Sequence, residues 1–216
     1  TYILDGAVRH KDSLGNEGVI ENGAIQWMTA GSGIIHEEMP ESVHGIRGFQ
    51  LWVNLPKKDK MLPPRYQDLK GATVPTVALG PQARARVIAG ALAGIVGPLK
   101  SIAGNPLYAD ISLDANGSVS IPLAIEHTAF AYVVEGALGV DAGEPTYYAP
   151  GTILLFDRDG DVLNLRAPAT GARFLLISGV PLNEPIAWHG PIVMNTDEEL
   201  REAFQELNEG SFIRTH

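Results

Sequence analysis

The chain has 216 residues, a formal charge of −9, 45% hydrophobic residues and no cysteine. This length suits one large β domain or two domains of about 100 residues each, while the missing cysteines exclude disulfides, thiolate zinc sites and cysteine nucleophiles. The acidic charge argues against a general nucleic-acid or membrane binder, and the longest apolar run, residues 88–96, is too short to span a bilayer. Any metal must therefore be held by His, Asp, Glu or backbone oxygen.

Short apolar segments separated by Gly, Asn and Asp turns fill the first third of the sequence. We predict strands at residues 1–4, 7–10, 19–20, 24–28, 49–55 and 74–79. Asp5-Gly6 is a typical hairpin turn between the first two, and the charged, proline-rich residues 56–70 predict an ordered surface connection. The pattern is typical of an antiparallel barrel or sandwich.

The second half repeats this pattern. Strands are predicted at residues 107–113, 118–121, 129–134, 137–140, 146–148, 153–156, 162–165 and 173–177. Residues 131–138, AYVVEGAL, resemble residues 1–8, TYILDGAV, which indicates an internal duplication. We therefore expect two β-barrel domains, at residues 1–80 and 81–180, and a C-terminal extension at 181–216.

One helix is predicted at about residues 197–208. Thr196 and Glu199 have the spacing of a capping box, and Gly210 can end the helix. The apolar stripe consists of Leu200, Ala203, Phe204 and Leu207, at positions i, i+3, i+4 and i+7.

His36 and Glu38 are the first candidates for chemistry. They are alternate residues, so on a strand both side chains point to one face, whereas Glu37 points to the other. A divalent metal would offset the cost of burying the carboxylate, although two ligands are too few for a tight site. The alternative is a solvated strand end closed by Pro40. His10, His44 and His189 are interpreted as a hairpin residue and two loop residues.

Three long segments resemble the signatures of the pirin family. They read QWMTAGSGIIHEEMPE at 26–41, GFQLWVNLPKKDKMLPPRYQDL at 48–69 and NEPIAWHGPIVMNTDEELREAF at 183–204. The resemblance runs along nearly the whole chain. It implies an all-β bicupin: two double-stranded β-helix, or jelly-roll, barrels packed face to face, with one C-terminal helix.

The resemblance also implies one divalent metal, Fe(II), in the N-terminal barrel. His36 matches the third histidine of the family's ligand set and Glu38 matches its glutamate. Two further histidines are expected upstream of Thr1, outside this chain, so the barrel at 1–80 is expected to lack its first strands and tight iron binding is expected to fail. The second barrel is expected to be a degenerate cupin, with His127 in a loop or on the surface.

Two functions follow from the resemblance. One is a quercetin 2,3-dioxygenase-like enzyme, in which the metal binds the flavonol oxygens, Glu38 accepts the 3-hydroxyl proton and O2 cleaves the ring with release of CO. The other is a metal- or redox-dependent protein cofactor that modulates a transcription factor or a metabolic enzyme. A metal-free structural cupin is the third option. In each case we expect a cytoplasmic monomer without direct nucleic-acid contact. An enzyme needs a cavity open to solvent beside His36 and Glu38, whereas an interaction module can seal the metal and act through an exposed patch.

Overall fold

The computed structural model describes residues 1–140 and 146–214. The chain forms two compact units, one of Thr1–Thr73 with Leu182–His216 and one of Val74–Pro181. The domain boundaries expected after residues 80 and 180 stay predictions. Among the described residues, no helix is long and apolar enough to cross a membrane.

The first unit begins with two antiparallel sheets. Its strands are β1 (Tyr2–Asp5), β2 (Val8–Asp12), β3 (Glu17–Ile20), β4 (Ile25–Thr29), β5 (His36–Pro40), β6 (Arg47–Phe49) and β7 (Arg65–Leu69). One sheet has the order β6-β1-β4-β7 and the other has the order β3-β2-β5. Short 3-10 helices lie at Lys57–Asp59 and Gly71–Thr73. Ile3, Val8 and Ile20 form a buried apolar cluster.

The hairpin predicted at Asp5-Gly6 is wrong. β1 pairs with β4 and β6, whereas β2 pairs with β3 and β5, so this turn carries the chain from one sheet to the other. Gly6 has a φ of +86°, and a Cβ atom at this position would lie 2.7 Å from the carbonyl oxygen of Gly45. Glycine is therefore required for a sheet-crossing turn rather than for a hairpin.

The strand predicted at residues 49–55 and the connection predicted at 56–70 both differ from the structure. The ladder between β6 and β1 ends at the Tyr2–Phe49 pair, and residues 50–56 are not in a strand. The connection predicted at 56–70 contains β7, whose sequence RYQDL lacks the apolar alternation that identifies a strand. Backbone pairing with β4 over five residues holds this polar segment in the sheet.

The second unit contains the longer sheets. Its strands are β8 (Thr76–Ala78), β9 (Ala83–Ala89), β10 (Ala91–Leu92), β11 (Ile95–Val96), β12 (Leu107–Leu113), β13 (Ser118–Pro122), β14 (Thr128–Gly136), β15 (Leu138–Val140), β16 (Tyr147–Tyr148), β17 (Ile153–Phe156), β18 (Val162–Arg166) and β19 (Ala172–Gly179). The main sheets have the orders β17-β14-β19-β12-β9-β8 and β13-β18-β15-β16. Each strand predicted between residues 107 and 177 is confirmed. The core includes Val87, Ile111, Val133, Phe174 and Leu176, all buried.

The two units share one pairing scheme. In the first, β1 pairs with β4 and β6, and β2 pairs with β3 and β5. In the second, β14 pairs with β17 and β19, and β15 pairs with β16 and β18. The strands β1–β6 therefore correspond to β14–β19 in order. Gly136, at φ +70°, occupies the position of Gly6. This topology supports the internal duplication inferred from the sequence.

The C-terminal part of the first unit contains a hairpin and the helix. The hairpin of β20 (Ala187–His189) and β21 (Ile192–Met194) was not predicted, and it places His189 in a strand rather than in a loop. Helix α1 spans Asp197–Glu209, with the expected capping box and with Gly210 in the left-handed conformation. Ala203 is buried on its apolar face.

A buried lysine ties this C-terminal part to the loop after β6. Lys60 is only 6% exposed, and its Nζ donates to Asn54 Oδ1 at 2.7 Å and to the carbonyl oxygen of Val193 at 3.1 Å. Burial lowers the pKa of Lys60, and the charges of Glu184 and Glu199 partly oppose that shift. The amine therefore joins β21 to the loop through two directional bonds.

We expect Lys60→Met to reduce the free energy of unfolding by about 2 kcal/mol, because two acceptors lose a buried donor. Urea unfolding measures the loss. Lys58→Met is the matched control, since Lys58 is an exposed lysine of the same loop, and it should change stability by less than about 0.5 kcal/mol. Equal effects of the two substitutions would contradict a specific role for Lys60.

Ala93 occupies a strained position between β10 and β11. Its φ is +48° and Gly94 follows at +80°, a pair of values typical of a type I′ turn, in which Asn-Gly is preferred. We expect Ala93→Asn to raise the free energy of unfolding by about 0.5–1 kcal/mol. Ala91→Asn, two residues earlier in a strand, should not stabilise the protein. A thermal melt that ranks the two variants in the reverse order would contradict this assignment.

Candidate metal centre

Three potential metal ligands meet on one face of the three-stranded sheet. In the ladder between β2 and β5, His10 lies opposite Glu38 and Asp12 lies opposite His36. Residues two positions apart on a strand share a face, so these four side chains point to the same side. One ligand atom from each of His10, His36 and Glu38 lies within 4.8 Å of the others. The four residues are thus placed by strand register alone.

The predicted pair His36 and Glu38 is brought together, and His10 is a member that sequence reasoning missed. His10 does lie in a hairpin, that of β2 and β3, opposite Gly18, but its side chain is only 2% exposed and belongs to the group of potential ligands. A signal was present: β2 alternates Val8, His10 and Asp12 inward with charged residues outward. Glu37 lies opposite Lys11 on the other face, as predicted.

The group runs from the core to the surface. His10 is buried, Glu38 is half-buried and His36 is exposed. The rings of His10 and His36 have centroids 5.5 Å apart, at an interplanar angle of 47°. A small molecule can therefore approach from the side of His36, while His10 closes the inner side of the group.

A hydrogen-bonded chain fixes the inner histidine. Nε2 of His10 lies 3.2 Å from the hydroxyl oxygen of Tyr66, which comes from the four-stranded sheet. Tyr66 in turn donates to the carboxylate of Asp12. Because this hydroxyl has a single proton and the carboxylate can only accept, the Tyr66 oxygen accepts from His10 Nε2–H. A neutral His10 with its proton on Nε2 has a free lone pair on Nδ1.

That nitrogen fits a ligand position. His10 Nδ1 is buried and has no hydrogen-bond partner among the described residues. Buried polar atoms in native proteins are nearly always satisfied, and a neutral imidazole nitrogen is the commonest protein ligand for metals. Two imidazoles and one carboxylate are also the donor set of non-haem Fe(II) sites. The residues present therefore fit a divalent metal.

Asp12 is the ionised group at the end of the hydrogen bonds that link His10 and Tyr66. Its Oδ1 accepts from the backbone N–H of Leu14 at 2.8 Å and of Asn16 at 2.9 Å, and its Oδ2 accepts from Asn16 Nδ2 at 2.8 Å. Burial alone would raise the pKa of Asp12, but hydrogen bonds from Tyr66, Asn16 and Leu14 hold it well below its usual range. Burial and the bond to Asp12 raise the pKa of Tyr66. The phenol therefore keeps its proton.

Glu38 is held from the opposite sheet through both oxygens. Oε1 accepts from the hydroxyl of Thr1 at 2.8 Å, and Oε2 accepts from Nε2 of Gln50 at 3.2 Å. The donors lie at the ends of neighbouring strands, since Tyr2 pairs with Phe49. The carboxylate is thus oriented by two side chains that do not belong to its own sheet.

Among the residues of the second unit that the structure describes, no such group is present. Aligning Gly6 with Gly136, and the β2–β5 ladder with the β15–β18 ladder, assigns an apolar residue to each ligand position. Val140, Leu163 and Leu165 correspond to His10, His36 and Glu38, and all three belong to the apolar core or pack against it. His127 lies in a loop, as predicted, with Nδ1 3.0 Å from Ser178 Oγ.

Comparisons with known proteins agree with the duplicated fold. Residues 1–53 match the family described as pirin, and residues 108–213 match the pirin C-terminal cupin domain. A pirin-like protein of Caulobacter vibrioides is 43% identical over 214 residues, which cover 98% of this chain and 76% of the relative. Pirin-1 of Arabidopsis thaliana is 36% identical over 208 residues, covering 95% and 71%.

A solved structure is similar along nearly the whole chain. The crystal structure of a quercetin 2,3-dioxygenase from Acinetobacter baumannii has a TM-score of 0.89 and 36% sequence identity, and the match covers 98% of this chain and 74% of that chain. This agreement confirms the expected cupin-type, two-barrel fold. The sequence matches and the shared architecture lead to one conclusion: this chain belongs to the pirin family.

Proposed function

We propose that this protein is a metal-dependent dioxygenase acting on a flavonol such as quercetin, with one Fe2+ held by His10, His36 and Glu38. The observation that carries the proposal is the convergence of three ligand atoms within 4.8 Å. The similarity to a quercetin 2,3-dioxygenase supports the substrate class. The two histidines expected upstream of Thr1 stay a prediction. His10 gives the chain a third ligand without them, so we propose that the chain retains metal binding.

The metal would supply Lewis-acid polarisation of the substrate oxygens and would support reaction with O2. The side chains supply orientation and proton transfer. The exposed His36 leaves the outer side of the group open, which an enzyme needs and a sealed structural site does not. His10, fixed by Tyr66, leaves the inner side closed to solvent.

Glu38 would accept the proton of the substrate hydroxyl at one particular oxygen. Oε2 faces the NH2 end of the Gln50 amide, which can only donate. Oε1 faces the hydroxyl of Thr1, which can rotate and accept a hydrogen bond instead. Protonation at Oε1 therefore costs no hydrogen bond, and Oε1 is the basic atom in this proposal.

A second candidate is a metal-dependent binding protein. Several large apolar side chains are exposed between residues 35 and 62, among them Ile35, Val43 and Trp52, with 52%, 92% and 58% of their surfaces accessible. Exposed apolar side chains in one segment are typical of a protein contact surface. This candidate uses the same metal group and differs in having no turnover.

Metal content and oxygen uptake on quercetin test the site. We expect His36→Ala to lower Fe2+ affinity by about 10-fold or more, and we expect Glu38→Gln to abolish flavonol consumption. His44→Ala and Glu37→Gln are matched controls, because His44 is an exposed loop residue and Glu37 points to the opposite face. Full metal retention in His36→Ala would contradict the site. Bound iron without oxygen uptake in the unaltered protein would favour the binding protein.

His10 has its own prediction because it could be a core residue only. We expect His10→Gln to lower Co2+ affinity by about 10-fold or more, with urea unfolding used to select conditions in which the variant is folded. Tyr66→Phe, which keeps the ring and removes the hydroxyl, should weaken Co2+ binding to a smaller extent. If folded His10→Gln binds Co2+ as tightly as the unaltered protein, His10 is not a ligand.

A further inference from the structure

A chain of hydrogen bonds leads from Glu38 to an exposed indole. Gln50 Nε2 donates to Glu38 Oε2 at 3.2 Å, and Trp52 Nε1 donates to Gln50 Oε1 at 3.3 Å. Trp52 is 58% exposed. All three residues lie in the first unit, and Gln50 and Trp52 follow directly after β6.

The chemistry of the three groups determines which of them donates and which accepts in each hydrogen bond. An indole N–H can only donate, and an ionised carboxylate can only accept. A primary amide has one end of each kind, so Gln50 joins these two groups in one orientation only. Trp52 occupies the carbonyl end, and the NH2 end is thereby turned towards Glu38. Neither a carboxylate nor an apolar side chain at position 50 could make both bonds.

The hydrogen-bonded chain connects residues 50–52, which are not in a strand, to the site. The ladder between β6 and β1 ends at Phe49, so side-chain bonds rather than backbone pairing connect Gln50 to the site. Glu38 belongs to the three-stranded sheet, and its carboxylate is held by Gln50 and by Thr1 from the other sheet. Without the hydrogen bond from Gln50, the Glu38 carboxylate would keep the bond from Thr1 to Oε1 and lose the bond that orients Oε2.

We propose that Gln50 is a positioning residue for Glu38 and that Trp52 sets the orientation of the Gln50 amide. The role towards metal rests on the proposed function, whereas the hydrogen-bonded chain itself does not. Supporting groups that orient a ligand affect metal affinity strongly, by about 10–100-fold when removed. A change at Glu38 also reaches Trp52, which makes the exposed indole a reporter of the site.

Indole N–H resonances test the chain without metal. In metal-free protein we expect Glu38→Gln to shift the Nε1–H resonance of Trp52, which is assigned with Trp52→Phe. The substitution removes the negative charge that accepts the hydrogen bond from Gln50, and Gln50 in turn accepts the bond from Trp52. Trp188 is an internal control, since its Nε1–H donates to the Gly190 carbonyl at 2.8 Å and should not move. In a Gln50→Met background the Trp52 shift should disappear. An unmoved Trp52 resonance, or a shift that persists without Gln50, would contradict the proposed hydrogen-bonded connection from Glu38 through Gln50 to Trp52.

Co2+ binding tests the positioning role. We expect Gln50→Met to weaken Co2+ affinity by about 10-fold and to change the visible spectrum of bound Co2+, which reports ligand geometry. Trp52→Phe should have a smaller effect in the same direction. Gln205→Met is the matched control, because Gln205 also donates to a carboxylate, that of Glu209, at 2.8 Å.

The outcomes separate the two proposals. Unchanged affinity and spectrum in Gln50→Met would overturn the positioning role while the metal site stands. Failure of the unaltered protein to bind Co2+ or Fe2+ would overturn the proposed function and the role of Gln50 towards metal, and the indole resonances would still decide whether Gln50 orients Glu38.

Discussion

The register of the β2–β5 ladder is the constraint on which the rest of the site depends. Pairing His10 with Glu38 and Asp12 with His36 sets all four side chains on one face. A shift of β2 by one residue would replace His10 and Asp12 on that face with the charged side chains of Arg9 and Lys11. The register is held from both sides: Val8 is buried in the apolar cluster, and Asp12 closes the turn to β3.

The inner and outer parts of the site have different kinds of support. His10 is itself buried and is fixed by the half-buried Tyr66 and the buried Asp12, where low solvent access makes each hydrogen bond strong and each unpaired atom costly. Glu38 is held by an amide and a hydroxyl near the surface, where water competes for the same atoms. The two parts of the site therefore differ in their own burial, since His10 is buried and Glu38 is half-buried.

The sequence predicted the fold through particular residues, and its failures have physical reasons. Turn glycines, apolar alternation and the Thr196–Glu199 cap identified most strands and the helix. Asp5-Gly6 was misleading because glycine at positive φ serves a sheet crossing as well as a hairpin. β7 was missed because backbone pairing stabilises a polar segment. His10 was missed because the alternation along β2 shows only that it faces inward, while its place beside His36 and Glu38 depends on the pairing of β2 with β5.

The duplicated pairing scheme allows the two halves of the chain to be compared position by position. At three corresponding positions, one half has His10, His36 and Glu38 and the other has Val140, Leu163 and Leu165. Fully burying an aliphatic side chain contributes about 1.5–3 kcal/mol. Leu165 is buried, and Val140 and Leu163 are partly buried, so the first half gives up part of this stabilisation where it has polar groups. The second half can therefore serve as an internal comparison for the first. A feature found in both halves is due to the shared fold, and a feature found only in the first half is due to its polar residues.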